Sequence, residues 1–170
     1  MLVFDATPLI YLAKVEKLNL LCNISEKKVI PRSVFEEVVV KGKEAGKVDA
    51  LIVERLIEQG VFQVTDVEET DVYRKLMKNK KLSTADVEVL ALAKVADGVA
   101  IVDEDYARMV TEVEDIKCGG TIYLIFSLLE GGVITKREAR EIVDGIIEKG
   151  WFCSTYLYAR ILRRLEESLL

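Results

Sequence analysis

Residues 1–14, MLVFDATPLIYLAK, constrain the fold more than any other stretch. Leu2, Val3 and Phe4 form an unbroken apolar run, the pattern of a strand buried on both faces of a parallel sheet. Asp5 follows at once. A carboxylate left unpaired in the interior costs several kcal/mol, so the run must end where Asp5 meets water, a cation or donors. Pro8, tolerated in a first helical turn, and Leu9, Ile10, Leu12 and Ala13 then begin an apolar helical face. This order puts Asp5 at the carboxyl end of a strand, where open α/β sheets bind their ligands. A plain structural role is also open to it, as the residue capping the helix that contains Pro8.

The same device recurs along the chain. Residues 27–30, 61–64, 99–102 and 116–118 read as four more short strands, separated by helical patterns. Pro31 and Ser33 mark a helix entrance leading into Val34, Phe35, Val38 and Val39, with Glu36 and Glu37 in early turns that suit acidic residues. Residues 41–47, with Gly42 and Gly46, read as a loop. Val48, Leu51, Ile52, Leu56 and Ile57 recur at helical spacing until Gly60. A weaker helix over 67–77 ends in the basic run Lys78, Lys80 and Lys81. Ser83 opens a strong helix and forms a capping box with Asp86. The strand 99–102 is followed by Asp103, Glu104 and Asp105 and a helix over 106–113. Gly119, Gly120 and Thr121 turn tightly into a helix over 122–129, the glycines letting the backbone approach a ligand or a neighbouring helix.

Beyond Gly131 and Gly132 only helices follow. Thr135 and Glu138 make a second capping box for a helix reaching 149, and a last helix is expected over 154–170. Its Tyr156, Tyr158, Arg160, Arg163 and Arg164 suit a protein interface, and equally the stacking and neutralising of single-stranded RNA. Strands alternating with helices require right-handed crossovers. The expected fold is therefore α/β, a three-layer α/β/α sandwich with a five-stranded parallel sheet. Residues 1–130 are expected to form the main domain, and 131–170 a helical C-terminal extension packed on it.

Composition removes whole classes of function. The chain has no histidine, which excludes His general bases, Ser-His-Asp and Cys-His nucleophiles and His-ligated metals. At 170 residues with 51% hydrophobic content it can bury a core unaided, and no apolar run approaches a membrane span. Lacking a secretory leader, it is expected to be cytoplasmic, with Cys22, Cys118 and Cys153 as reduced, buried core thiols. A net charge of −5 opposes nucleic-acid binding through a uniformly basic surface, yet leaves room for a local basic rim.

If the first and fourth strands are neighbours at the sheet's switch point, Asp5 and Asp103 face each other across one crevice. Asp86 then arrives from the helix before the fourth strand, and Glu37 from the helix after the second. Carboxylates at close range repel until some protonate or a cation binds. With oxygen ligands alone the fitting ion is Mg²⁺ or Mn²⁺, which supplies activated water and a Lewis acid for phosphoryl oxygen.

Asp5 with Ala6-Thr7, the segment PRSVFEEV at 31–38, STADVEVLALA at 83–93 and VDEDYAR at 102–108 resemble, in order, the four acidic motifs of the PIN domain family. The resemblance covers about residues 1 to 130, and the helices beyond are similar to a microbial PIN subfamily with a C-terminal extension. It implies a metal-dependent ribonuclease acting on single-stranded RNA, related to toxin nucleases of toxin–antitoxin pairs and to RNA-processing enzymes. An antitoxin protein and a second copy of the chain, as a homodimer, are the partners it implies. Carried over by position, Asp5, Glu37, Asp86 and Asp103 become the catalytic, metal-binding carboxylates, with Asp105 a fifth. Glu36 stands as the alternative to Glu37, and Glu88 to Asp86. Thr7 and Thr121 match supporting hydroxyl positions, and Arg32, Lys80, Lys81 and Arg108 are candidate RNA contacts.

Two other readings compete. A receiver-type phosphoacceptor module would pair Asp5 and Mg²⁺ with a lysine near the fifth strand, Lys117, although Phe4 and Ala6 flank Asp5 where that class prefers paired acids. A PIN-like binding module without catalysis would use the C-terminal helices to dock its partner.

Overall fold

A computed structural model of the chain describes residues 1–168. β1 (Leu2–Phe4) leads into α1 (Ala6–Lys14), and a 3-10 segment, Leu18–Asn23, returns the chain to β2 (Lys28–Pro31). Helix α2 (Arg32–Phe35) widens through a π-helical segment, Glu36–Val40, into α3 (Lys41–Glu44). Then come α4 (Val48–Glu58), β3 (Gln63–Thr65), α5 (Asp71–Met77), α6 (Thr84–Val95) and β4 (Val99–Ile101). The chain continues through α7 (Asp105–Val113), β5 (Lys117–Gly119), α8 (Thr121–Glu130), α9 (Lys136–Glu148) and α10 (Thr155–Glu167). The last helix was expected to reach 170; residues 169 and 170 lie outside the described residues.

The five strands form one all-parallel sheet in the order β3-β2-β1-β4-β5. Its direction of winding reverses between β1 and β4, the switch point where the sequence reading put it. Phe4 pairs with Ile101, and one step further the Asp5 N–H donates to the Ile101 carbonyl at 3.0 Å. On the far side of β4 the Val102 N–H donates to the Gly119 carbonyl at 2.9 Å. The ladder thus carries Asp5 past the sheet's end opposite Val102, one residue before Asp103.

Helices cover both faces. α1 packs on α4, α8 and α9, whereas α6 lies across β1, β2 and β4 with α5 beside it. Leu2, Val3 and Phe4 are fully enclosed between the layers, as their unbroken apolar run requires. Phe62 meets Phe4 edge-on at 5.2 Å between ring centroids, a contact adding roughly 0.5–1.5 kcal/mol beyond area burial. Ile142, Val143 and Ile146 of α9 and Trp151 join the same core cluster. Among the described residues no helix is long and apolar enough to cross a membrane.

Several expectations are corrected. Residues 41–47 are not all loop, because the π-widened helix runs on to Glu44. Gly42 there permits close packing: a Cβ at this position would stand 2.8 Å from the Ala50 Cβ. The third strand begins at Gln63, since Phe62 turns into the core instead of joining the ladder. Helix α5 starts at Asp71, capped by Thr70, whose side chain accepts from the Tyr73 N–H. Cys22 is exposed and Cys118 and Cys153 are half-buried: the 3-10 segment turns Leu18 and Leu21 inward and leaves Cys22 outside.

Candidate functional site

Asp5 occupies the N-cap position of α1, yet its side chain caps nothing. The simplest structural explanation for this acid therefore fails. Its carboxyl is buried at the crevice and its pKa is pushed up to about 7. Burial is the largest cause; the nearby Ala6 N–H pulls down, and the charges of Asp86, Glu37 and Asp103 push further up. Four acids from β1, the π-segment, α6 and the end of β4 thus share one electrostatic environment. None of them forms an ion pair with a lysine or arginine among the described residues.

The alternatives separate in space. Glu37 is the member of its pair whose charge reaches Asp5, whereas that of Glu36 falls on Arg32. Glu88 is engaged elsewhere, accepting the Ser33 N–H at 3.0 Å and the Ser33 hydroxyl, and so clamps α6 to the start of α2. Asp86 keeps its capping box: one carboxylate oxygen accepts from the Ser83 N–H and hydroxyl, each at 2.7 Å. Its other oxygen takes no hydrogen bond among the described residues, so capping and a site role are compatible.

Asp103 is the most tightly held. The Thr121 N–H donates to its Oδ1 at 2.7 Å, and the Thr121 hydroxyl to its Oδ2 at 2.6 Å. The indole N–H of Trp151 donates to the same Oδ2 at 3.0 Å. Gly120 makes this possible, since a Cβ there would lie 2.5 Å from Asp103 Oδ1. The glycine pair before α8 accommodates a carboxylate. Trp151 was not anticipated from sequence. The available signal was that a chain's lone tryptophan, buried, needs an acceptor for its N–H.

The remaining candidates scatter. Thr7 lies half-buried in the first turn of α1, and Asp105 is exposed at the start of α7. Arg32 pairs with Asp66 at 3.0 Å, Lys81 sits 5.2 Å over the Tyr106 ring, and Lys80 is exposed. Arg108 donates to the Val102 carbonyl at 3.0 Å, next to the turn that carries Asp103. Lys117 begins β5, at the sheet end opposite Asp5, and is paired with Asp97 at 2.8 Å. A receiver-type arrangement needs that lysine beside Asp5, so the geometry removes it.

Oxygen donors around a buried, cation-free carboxylate match the ligand chemistry of Mg²⁺ or Mn²⁺. No three acidic or cysteine side chains among the described residues converge tightly enough to enclose a metal. The site fits an ion held by one or two carboxylates and several waters, the usual Mg²⁺ arrangement, and not an all-protein cage. In this mode Asp5 would share the ion with one or more of Asp86, Glu37 and Asp103, the acids whose charges reach it.

Residues 1–167 match a family model described as PIN domain. No curated protein and no solved structure matches the chain. Because the family match takes in the acidic crevice and the helices that complete it alike, this chain belongs to the PIN domain family, whose fold is of the nuclease type.

Proposed function

We propose that the chain is a divalent-metal-dependent endoribonuclease hydrolysing single-stranded RNA, with Asp5, Glu37, Asp86 and Asp103 as its metal-binding carboxylates. The observation that carries this reading is Asp5, a buried acid whose pKa stands near 7 and on which the charges of three other acids fall. Such a group is costly to ionise unless a cation arrives. A bound Mg²⁺ or Mn²⁺ supplies Lewis acidity toward a phosphoryl oxygen and a water activated near neutral pH.

The chain's own residues prepare that chemistry. Thr121 and Trp151 fix the Asp103 carboxylate, and Ser83 fixes one oxygen of Asp86. Asp5 holds its proton through burial and the neighbouring charges, both of which a cation at the crevice would offset in favour of the ionised form. Single-stranded RNA as substrate draws on the family resemblance. A toxin role, with an antitoxin partner and a homodimer as the acting form, is the narrower version of the same proposal.

Cleavage of a fluorescent single-stranded RNA in Mn²⁺ tests it. Chelation and Asp5→Asn should each lower the rate at least about 100-fold; activity surviving both would sink the mechanism. The three hydrogen bonds already made to Asp103 favour a second reading, a binding module without catalysis. Titration calorimetry decides between them, since no Mn²⁺ uptake at millimolar concentration supports the second.

A further inference from the structure

Beside edge strand β5 the fold leaves a groove of about 700 Å³, with α10 as one wall and β5, α7 and α8 as the other. Ordinary ligand clefts hold roughly 300–1,000 Å³. Asp103 and Asp105 belong to its lining, so it opens on the acidic crevice. Its other charged groups are Arg108, Arg160, Arg163 and Arg164, against the single carboxylate of Glu167. In a chain of net charge −5, this is a local reversal of sign.

The reversal follows from the spacing on α10. Leu157 and Ile161 turn toward the groove, and Arg160 and Arg164 recur beside them one turn apart. Arg164 lies 3.9 Å from the centroid of the Phe126 ring and shares an exposed ion pair with Glu130 at 3.0 Å. Exposed pairs of this kind contribute about 0–1 kcal/mol, so an incoming phosphate can displace one. Tyr123 presents an exposed ring on the α8 wall, and Arg160 also reaches out of the groove to lie 5.7 Å over the largely exposed ring of Tyr156.

We propose that this groove is the track for the single-stranded RNA segment adjoining the bond to be cut. The guanidinium groups of Arg160, Arg163 and Arg164 hold its phosphates, and a base stacks on Tyr123. Guanidinium groups beside an exposed aromatic face suit unpaired bases, whose π-faces a duplex would hide. This deepens the nuclease reading and rests on it for what lies at the acidic end; the binding of the strand does not depend on cleavage.

The test is fluorescence anisotropy with a labelled 2′-O-methyl RNA oligonucleotide in chelator, on the full-length chain. Arg160→Ala with Arg163→Ala, both at exposed positions, should weaken binding at least about tenfold. The salt slope of log K should shrink by about 1.4, at about 0.7 per single-strand phosphate contact. Equal charge loss at α4 and its N-cap, Lys47→Ala with Arg55→Ala, should leave both unchanged, and circular dichroism checks that each variant is folded. Unaltered affinity and slope in the α10 variant overturn the proposal. So does light scattering in which that variant dissolves a wild-type dimer while RNA affinity stays the same, which assigns the face to a second copy. A protein that never cleaves RNA, yet binds it through these arginines, keeps the groove and refutes only the nuclease reading.

Discussion

Asp5 ionises near 7 in the folded chain and near 3.8 when unfolded. Between those values the folded state holds a proton that the unfolded state has lost, so stability falls as pH rises. The contribution is fully present below 3.8, and about 4 kcal/mol of it has gone once the pH passes 7. Urea unfolding in chelator should therefore show Asp5→Asn gaining on wild type from about pH 4 to about pH 7; a gap that ignores pH would count against a buried, unpaired acid. Metal uptake should strengthen over the same range, because the ion displaces the same proton. Trp151→Phe keeps the ring and removes the N–H that Asp103 accepts. Mn²⁺ affinity by calorimetry should drop about 10–100-fold, the usual effect of losing a partner that orients a ligand. Asp5 and Asp103 were legible because each follows an apolar run, and Asp86 because it completes a capping box, whereas Glu37 could not be told from Glu36 within its helix. Trp151 was not legible, since its acceptor lies 48 positions away and local pattern carries no trace of that pairing.

At the scale of elements, strand positions were readable and helix continuity was not. The five apolar runs stand where the ladder forms, shifted by a residue or two where an aromatic such as Phe62 enters the core instead. Gly42 misled the reading because glycine marks both broken helices and tightly packed ones, and sequence alone does not separate the two. The π-segment is equally silent, as Glu36–Val40 has no composition of its own. Gly42→Ala should destabilise the chain by about 1–3 kcal/mol through overpacking on Ala50, read as a lower urea midpoint at unchanged slope. No loss would mean that α3 and α4 can move apart freely.

For the whole molecule, the layered α/β architecture followed from alternation, and the C-terminal helices, expected to pack on it, join its core. Ile142, Val143 and Ile146 are at most 3% exposed, and burying three such side chains contributes about 5–9 kcal/mol. That rivals the entire stability of many domains, about 5–15 kcal/mol. A chain ending at residue 130 should accordingly show no cooperative thermal transition and should aggregate on size exclusion; a sharp melt would mark 1–130 as self-sufficient. The Trp151 indole adds a temporal consequence. A ribosome making this protein must add 48 residues beyond Asp103 before the indole that steadies that carboxylate exists. Nascent chains shorter than this carry every acid of the crevice without its final brace, so synthesis itself delays the moment at which the centre matures.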